Sequence, residues 1–242
     1  MMAGLTSIVI LTYNQFEYTR WCLAAIRYYT SEPYELIVVD NGSTDGTVEY
    51  LQSQADMEII LNGENKGFAK GCNQGIKTAG GEYILLLNND TVPVSGWLRN
   101  MINCLESDPS IGIVGPRSNY VKGPQSLEVS YTDMDEMFAF SEQFNRSPDP
   151  AKWLELGMVV GFCMLVKRAV IDTVGLLDER FGIGFFEDDD YCLRARSKGF
   201  KIMCAGDTFV HHFGSRSFIG NNIDRDRIVQ ENWEKYLAKW KH

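Results

Sequence analysis

One polar triplet in this sequence has the residue types of a metal and phosphate site. Asn88-Asn89-Asp90 directly follows four consecutive apolar residues, Ile84 to Leu87. An uninterrupted apolar run of this length, bounded by turn formers, indicates a strand buried on both faces. Asp90 would then lie at the carboxyl end of a core strand, where open α/β sheets bind ligands. A carboxylate there can hold a divalent metal against a phosphate; a turn that only closes the strand is the alternative.

An acidic run, Glu187 to Asp190, falls where the sequence predicts the beginning of a helix. The helix dipole favours an acid there by about 0.3–1 kcal/mol, which is sufficient to account for Asp189 and Asp190. Asp188 allows a second interpretation because it follows the apolar pair Phe185-Phe186. Burial by such side chains raises the pKa of a carboxyl group, and a carboxylate with a raised pKa suits a general base.

Two of the three histidines are adjacent, His211 and His212, and follow a predicted strand. Neighbours in a strand point to opposite faces, so only one of them can face a given site. The loop that follows offers backbone N–H donors and the cation of Arg216, which suit a phosphate. A histidine that only packs at the end of a strand is the alternative interpretation.

A regular alternation of strands and helices fills the first 90 residues and would position these groups. The patterns predict strands at 7–11, 36–39, 57–61 and 83–87, separated by helices at 16–29, 43–54 and 65–78. We expect Ser43 or Thr44 to cap the second of these helices. Strands that alternate with helices indicate a parallel sheet with right-handed crossovers. Because Asn14, Asp40 and Asp90 each follow a strand, a site is expected at the carboxyl edge of that sheet.

The second half of the chain predicts shorter elements and one long connection. Helices are expected at 97–107, 134–144, 168–174, 187–198 and 224–240, and strands at 111–114, 158–166, 201–204 and 208–210. Residues 116–155 are irregular and rich in Pro, Ser and Asp, which is typical of an insertion that crosses a sheet edge and carries specificity. A flexible aromatic loop at 182–186 precedes the acidic run.

The composition argues against several classes of protein. The net charge is −9, from 23 basic and 32 acidic residues, so nucleic acids and anionic membranes are poor partners. The longest apolar stretch, 158–166, is shorter than the ~20 residues that span a membrane, and the first residues lack the basic region of a signal peptide. The six cysteines form no CxxC pair and indicate buried thiols. We therefore expect a cytoplasmic protein without a transmembrane segment.

Seven stretches, in order along the chain, resemble the family 2 glycosyltransferases with the GT-A fold. They are IVILTYN (8–14), VVDNGSTDGT (38–47), NKGFAKGCNQGI (65–76), YILLLNND (83–90), GFCMLVKRAVIDTVGLLDERF (161–181), GFFEDDDYCLRAR (184–196) and VHHFGSRSF (210–218). The resemblance implies a single GT-A type domain over 1–242: a Rossmann-like, mostly parallel central sheet flanked by helices, with a C-terminal helical lid. It divides the chain into a nucleotide-sugar-binding half (1–90), an acceptor and catalytic half (91–220) and a C-terminal helix (221–242).

The resemblance also implies contacts to the donor nucleotide from the first half of the chain: Thr12, Tyr13, Asn14, Asp40, Asn65, Lys70, Asn89 and Asp90. The Asp-x-Asp metal motif of the family falls on Asn88-Asn89-Asp90, where asparagine replaces the first aspartate and leaves Asp90 as the metal carboxylate. A histidine after the last strand often completes this metal site. We prefer His212 to His211 and leave the choice open. The implied cofactor is a divalent metal, Mn²⁺ or Mg²⁺.

Catalytic and acceptor residues are implied in the second half. The Glu-Asp pair of the family falls on Glu187-Asp188, which makes Asp188 the expected general base and leaves Glu187, Phe186 and Trp233 to contact the acceptor. One base and no candidate nucleophile imply a single displacement with inversion at the anomeric carbon. UDP-, dTDP- and GDP-sugars all serve as donors in this family. The acceptor would be a hydroxyl of a glycan, a lipid-linked molecule or a protein, in cell-surface polysaccharide synthesis, and could bring the protein to a membrane surface.

Two other functions compete with sugar transfer. A sugar-nucleotide nucleotidyltransferase usually carries a Gly-rich, Arg-bearing loop after the first strand, but Thr12-Tyr13-Asn14-Gln15 stands there instead. A non-catalytic nucleotide-sugar-binding module needs no base, so the presence of Asp90, Asp188 and His212 together argues against it.

Overall fold

The computed structural model describes residues 2–214, 216, 220–221 and 223–241. The first half alternates as predicted: β1 (Met2–Thr12), α1 (Phe16–Tyr29), β2 (Tyr34–Asp40), α2 (Thr47–Gln52), β3 (Glu58–Leu61), α3 (Phe68–Thr78) and β4 (Gly81–Asn88). These strands pair in parallel in the order β3-β2-β1-β4. Their carboxyl ends therefore meet at one edge of the sheet.

The second half extends this sheet with strands of both directions. It contains β5 (Thr91–Val92), α4 (Trp97–Glu106), β6 (Ile111–Arg117), α5 (Met134–Asn145), β7 (Leu154–Leu156), β8 (Cys163–Lys167), α6 (Arg168–Val174), α7 (Glu187–Ser197), β9 (Lys201–Phe209), β10 (His211–His212) and α8 (Arg225–Trp240). Short 3-10 helices lie at Gly123–Gln125, Pro150–Lys152 and Glu179–Phe181. The large sheet has the order β3-β2-β1-β4-β8-β6-β9-β7, in which β8 runs antiparallel to β4 and β6, and β7 antiparallel to β9.

Alternate residues of β4 pack into two apolar layers on opposite faces of the sheet. Leu85 and Leu87 belong to the layer under α1 and α4, whereas Ile84 and Leu86 belong to the layer under α3, α6 and α7. This division follows from the two-residue repeat of a strand. It explains why the apolar run of β4 is uninterrupted, and it confirms the three-layer α/β architecture expected from the sequence.

A small two-stranded sheet joins the end of β4 to the histidine pair. β10 pairs antiparallel with β5, which sets His212 opposite Thr91 and His211 opposite Val92. β5 begins one residue after Asp90. Two polar groups far apart in the sequence are therefore brought together by one short pairing.

Two strands differ from the prediction. The expected strand at 158–166 begins only at Cys163, because the N–H groups of Val160 and Gly161 donate to the side chains of Gln125 and Asp188 and not to a neighbouring strand. The two strands expected at 201–204 and 208–210 form one continuous strand, β9. Its interior glycine, Gly206, accommodates a close approach by the carbonyl oxygen of residue 152, which a Cβ would meet at 1.9 Å.

The predicted cap of α2 is wrong. This helix begins after Gly46, which has φ 92° and provides no side-chain cap. Ser43 instead accepts a hydrogen bond from the backbone N–H of Asn14, and the N–H of Thr44 donates to the Asn14 side chain. Local sequence predicted a helix cap, but contacts between two loops recruit these residues.

All six cysteines are buried and unbridged, as predicted. Over the part of the chain that the structure describes, no helix combines the length and the apolar character needed to cross a membrane.

Candidate functional site

A cavity of about 820 Å³ lies at the carboxyl edge of the sheet and draws its walls from both halves of the chain. The first half contributes Thr12, Tyr13, Asn41, Asn65, Asn88, Asn89 and Asp90, and the second half contributes Tyr120, Lys122, Gln125, Gly161, Phe186, Glu187, Asp188, Asp189, His212, Arg216 and Arg225. Most of the residues predicted from the sequence therefore share one cavity. Four predicted residues are not in its lining: Asn14, Asp40, Lys70 and Trp233.

Asp40 ends β2 and is almost completely buried. Its Oδ1 accepts hydrogen bonds from the backbone N–H groups of Gly42 and Ser43, both at 2.9 Å. Its Oδ2 is buried and has no hydrogen-bond partner among the described residues. A buried carboxylate oxygen without a donor costs free energy, and the neighbouring residue, Asn41, lines the cavity.

Asn14 and Asn89 use their side chains to hold the ends of strands together. Asn14 Oδ1 accepts the backbone N–H of Thr44 at 2.8 Å. Asn89 Nδ2 donates to the hydroxyl oxygens of Thr19 and Thr12, at 2.9 and 3.3 Å. Both asparagines were predicted to bind the nucleotide directly. That contact stays a prediction; their side-chain hydrogen bonds shape the loops around Tyr13, which lines the cavity together with Asn89.

Asn65 and Lys70 lie on either side of the beginning of α3 but differ in surroundings. Asn65 lines the cavity, and its Oδ1 accepts hydrogen bonds from Gly67 N at 2.9 Å and Asn41 Nδ2 at 3.2 Å. Lys70 is exposed and outside the lining. The helical repeat turns the apolar face of α3 toward the sheet and leaves Lys70 in solvent.

Asp90 and His212 meet at the centre of the cavity wall, and both side chains are buried. Asp90 Oδ1 lies 3.0 Å from His212 Nε2. His212 Nδ1 lies 3.0 Å from the carbonyl oxygen of Tyr120, which can only accept, so Nδ1 carries the ring hydrogen. In the neutral ring, Nε2 then directs a lone pair toward the Asp90 carboxylate. Nε2 has no well-oriented hydrogen bond among the described residues. Two acceptors at this distance require a shared cation, either a proton on the ring or a metal ion.

The environment of Asp90 favours its charged form. Burial alone would raise the pKa of Asp90, but the contact with His212 and the backbone N–H of Arg216 lower it below its ordinary value. The Arg216 guanidinium lies over the ring of Tyr18, 5.4 Å from the centroid, and its Nε is buried without a hydrogen bond to the described part of the chain. The backbone of Arg216 therefore lies against Asp90, and its guanidinium lies over Tyr18, in the loop where the sequence predicted a phosphate contact.

His211 faces away from the cavity and contacts the 116–155 insertion. Its Nδ1 lies 2.6 Å from the hydroxyl of Tyr131, and burial lowers the pKa of His211 to about 4. The ring is therefore neutral near pH 7. Of the two histidines that the sequence left open, only His212 lines the cavity.

Glu187 and Asp188 begin α7 and also line the cavity. Asp188 Oδ2 accepts the N–H of Gly161 at 2.8 Å, and its Oδ1 accepts the N–H of Asp189 at 2.9 Å. Burial raises the pKa of Asp188, as the sequence predicted, and raises that of Glu187 well above its ordinary value. Glu187 Oε2 is buried and has no partner among the described residues. The wall thus presents one oriented carboxylate and one that favours its neutral form.

Asp189 lies in the first turn of α7, as predicted, but its surroundings go beyond those of a helix-start acid. Asp189 lines the cavity, and burial together with the charge of Asp188 raises its pKa to about 7. Asp190, in contrast, is fully buried and accepts hydrogen bonds from Arg194 Nε at 2.8 Å and from Trp240 Nε1 at 2.9 Å. The dipole argument could not separate these residues, because their difference arises from packing across α7.

Phe186 lines the cavity and has Trp233 and Tyr236 of α8 behind it, with ring centroids 5.5 and 5.7 Å away. Trp233 is 42% exposed and lies outside the lining. It therefore supports Phe186 in this structure and does not itself reach the cavity.

Sequence reasoning missed two amides that build the site. Asn41 links Asn65 to Asn62, whose Nδ2 donates to Asn41 Oδ1 at 2.9 Å. Gln125, in the insertion, accepts the N–H of Val160 at 2.7 Å and lines the cavity. No local pattern distinguishes these amides from ordinary loop residues, because their partners are distant in the sequence.

Comparison with known proteins relates this geometry to enzymes that transfer sugars. The family model for glycosyl transferase family 2 matches residues 7–175. The glycosyltransferase GlyG of Streptococcus pneumoniae serotype 4 is 27% identical over 180 residues, which cover 72% of this chain and 60% of GlyG. The glycosyltransferase AglE of Haloferax volcanii is 27% identical over 216 residues, 85% of this chain and 66% of AglE. The chain thus spans less than two thirds of the length of these relatives.

Solved structures share the fold at low sequence identity. GalNAc-T7 with UDP, GalNAc and Mn²⁺ has a TM-score of 0.67 and 13% identity, covering 86% of this chain and 43% of the other. The mannosyltransferase PcManGT from Pyrobaculum calidifontis, in complex with GDP-Man and Mn²⁺, has a TM-score of 0.64 and 20% identity, covering 96% and 64%. These similarities show the GT-A fold. The match of the family model over more than half of the sequence shows that this chain belongs to glycosyl transferase family 2.

Proposed function

We infer that this protein is a metal-dependent, inverting glycosyltransferase that moves a sugar from a nucleoside-diphosphate sugar to an acceptor hydroxyl. One observation carries this proposal: a single cavity holds both the buried Asp90–His212 pair and the half-buried carboxylate of Asp188. The first is suited to a cation that holds a diphosphate, and the second to a base. A binding module would need only the first.

The side chains of Asp90 and His212 are suitable ligands for a divalent metal ion. His212 donates Nδ1–H to a main-chain carbonyl, so its Nε2 carries no hydrogen and faces the ionised carboxylate of Asp90. This is the usual arrangement of a metal-binding histidine. No third His, Cys, Asp or Glu joins them within the described residues, so diphosphate oxygens and water would complete the coordination. Mn²⁺ or Mg²⁺ bound there would neutralise charge on the leaving diphosphate, and both solved structures compared above contain Mn²⁺.

The protein's own groups supply the remaining chemistry. Arg216, whose Nε is buried without a hydrogen bond among the described residues, would pair with a diphosphate oxygen. Asp188, oriented by the N–H groups of Gly161 and Asp189, would take the proton from the acceptor hydroxyl as it attacks the anomeric carbon. The C1–oxygen bond to the diphosphate breaks as the new bond forms, so a single displacement inverts the configuration. Glu187, in its neutral form, would donate a hydrogen bond to the acceptor.

The same geometry supports the division of labour proposed from the sequence. Residues 1–90 supply Asp40, Asn65 and Asp90 for the donor, and residues 91–220 supply the base and the acceptor wall. Helix α8 lies behind that wall. A sugar-nucleotide nucleotidyltransferase remains the competing function, since it also binds nucleotides beside a metal.

Product analysis tests the proposal directly. The protein is incubated with Mn²⁺ and UDP-, dTDP- or GDP-sugars in the presence of hydroxyl acceptors, and separately with nucleoside triphosphates and sugar 1-phosphates. Sugar transfer releases a nucleoside diphosphate, nucleotidyl transfer releases pyrophosphate, and a binding module releases neither. Pyrophosphate as the only product, or no turnover with any pair, would contradict the proposal.

The unpartnered oxygen of Asp40 predicts which bases bind. It can accept one N–H, which uracil and thymine provide at N3 and guanine at N1, whereas cytosine and adenine have no hydrogen at the equivalent ring nitrogen. We expect CDP to bind at least about tenfold more weakly than UDP, because the oxygen stays unpartnered at a cost of about 1–3 kcal/mol. Calorimetric titration with Mn²⁺ measures both affinities. Equal affinity of CDP and UDP would show that Asp40 does not contact the base.

The two histidines should separate into a binding role and a structural role. His212→Ala removes the bare Nε2 beside Asp90 and should weaken Mn²⁺-dependent UDP binding by about 10–100-fold, with a smaller loss of stability. His211→Ala leaves the Tyr131 hydroxyl without its partner and should cost about 1–3 kcal/mol of stability with little effect on binding. Titration and thermal melting of both variants check this. The reverse pattern would assign the metal to His211.

A further inference from the structure

The loop from Phe181 to Phe186 adopts a backbone that its sequence does not favour. Phe185 and Phe186 both have φ 73°, and Gly182 has φ 61°. The left-handed region is disfavoured for residues with a Cβ and persists only where surrounding contacts impose it. This loop leads directly into Glu187 and Asp188, so its conformation sets the position of both carboxylates.

One side chain of α8 imposes that conformation. Asn232 is 1% exposed, and its Nδ2 donates to the carbonyl oxygens of Phe181 at 2.6 Å and Gly184 at 2.7 Å, with a longer contact to Phe185 at 3.3 Å. Its Oδ1 accepts from Lys235 Nζ at 2.8 Å. Carbonyls on one side and an ammonium group on the other allow only one orientation of the amide.

The loop is held on its other side by the donor half of the chain. The carbonyl oxygen of Gly182 accepts the N–H of Phe68 at 3.0 Å, at the beginning of α3. Gly67 approaches the same carbonyl so closely that a Cβ would lie 2.1 Å from it. With Asn232 removed, the contacts to α3 would still hold Gly182, but Gly184 and Phe185 would lose the hydrogen bonds that their carbonyl oxygens accept from α8.

The rings of the loop depend on α8 as well. Phe186 packs against Trp233 and Tyr236, and the Arg225 guanidinium lies 5.4 Å from the centroid of the Phe185 ring. These contacts are partly exposed and adaptable, whereas the Asn232 bonds are buried and directional. Asn232 is therefore the residue of α8 that best defines the backbone of the loop.

We propose that Asn232 is a positioning residue for sugar transfer: it holds the loop 181–186 in its left-handed conformation and thereby fixes the Asp188 carboxylate against the acceptor. The inference rests on the proposed function of Asp188. Helix α8 then acts as a fixed clamp behind the residues Glu187 and Asp188, whereas the sequence predicted that this helix would act as a lid. A displacement of about 1 Å of a catalytic group can cost about 10²-fold in rate, so loss of the clamp should lower kcat far more than it lowers donor affinity.

Asn232→Asp tests the clamp with almost no change in shape. The carboxylate cannot donate and would face carbonyl oxygens at close range, so the loop should be released. Asn232→Ala, which adds no charge, serves as the second variant if the first does not fold. Asn100→Asp is the matched control: Asn100 is also 1% exposed, and its Nδ2 also donates to a main-chain carbonyl, that of Asn145 at 2.9 Å, but it lies on α4 outside the cavity.

We expect kcat of the Asn232 variants to fall about 10–100-fold, while the Kd for UDP with Mn²⁺ stays within about threefold. Chymotrypsin, which cleaves after Phe, should cut the loop 181–186 at least about tenfold faster than in the parent. The Asn100 control should lose thermal stability without either change. A folded Asn232 variant that keeps kcat within about twofold of the parent, or an equal loss of kcat in the control, would overturn the inference. If the parent transfers no sugar at all, the proposed function fails; the cleavage rate still tests the clamp, and unchanged cleavage would refute it.

Discussion

Asp188→Asn should lower the rate of sugar transfer by about 10²–10⁴-fold, the usual contribution of a positioned general base. Asparagine keeps the shape of the side chain and can retain one oxygen for the N–H of Gly161, but it cannot accept a proton from the acceptor hydroxyl. Donor binding should barely change, because the metal and diphosphate contacts are proposed for Asp90 and His212 and not for Asp188. The transfer rate at saturating donor and the Kd for UDP, measured side by side, check this expectation.

Asp189→Asn is the decisive comparison, because Asp189 also lines the cavity and its pKa is raised to about 7. Its replacement should lower the rate much less than that of Asp188, because the N–H of Gly161 orients the Asp188 carboxylate. A carboxyl group with a raised pKa binds its proton more tightly in the folded state, so stability falls as the pH rises from about 4 to about 7. Asp189→Asn should therefore flatten the decline of Tm over that range. A parent-like rate in Asp188→Asn, or an inactive Asp189→Asn, would move the base to Asp189.

Asp90→Ala should abolish metal-dependent nucleotide binding while the fold survives. The substitution removes the ionised carboxylate that lies 3.0 Å from His212 Nε2, so His212 loses its carboxylate partner for holding Mn²⁺ against a diphosphate. Affinity for UDP should fall at least about 100-fold with Mn²⁺ present and change little without it. Thermal shift against UDP, with and without Mn²⁺, gives both numbers.

Asp207→Ala is the matched control for Asp90. Asp207 is also a buried aspartate near the end of a strand, but its Oδ2 accepts the N–H of Asp149 and it does not line the cavity. This variant should lose stability and keep its Mn²⁺-dependent affinity. An Asp90 variant whose response to Mn²⁺ matches that of the parent would exclude Asp90 as a metal ligand.

The first four strands, most helices and the edge of the sheet that carries the site follow from local sequence alone. Apolar runs such as Ile84 to Leu87 report burial directly, because a strand covered on both faces must be apolar at every position. The polar residues after these strands then fall at the same edge in any parallel α/β arrangement. For this reason Asp90 and Asp40 could be selected before their surroundings were known.

The roles of individual polar side chains were decided only by tertiary contacts. Nothing local distinguishes His212 from His211, or Asp189 from Asp190, because each pair shares its neighbours and its element. The pairing of β10 with β5 turns His212 toward Asp90, and packing across α7 leaves Asp189 on the cavity while it buries Asp190. The free energy of a polar group depends on its hydrogen-bond partners and on its burial, and both are set by residues distant in the sequence. Asn232 is the clearest case: 48 residues separate it from Gly184, and only the docking of α8 makes it part of the site.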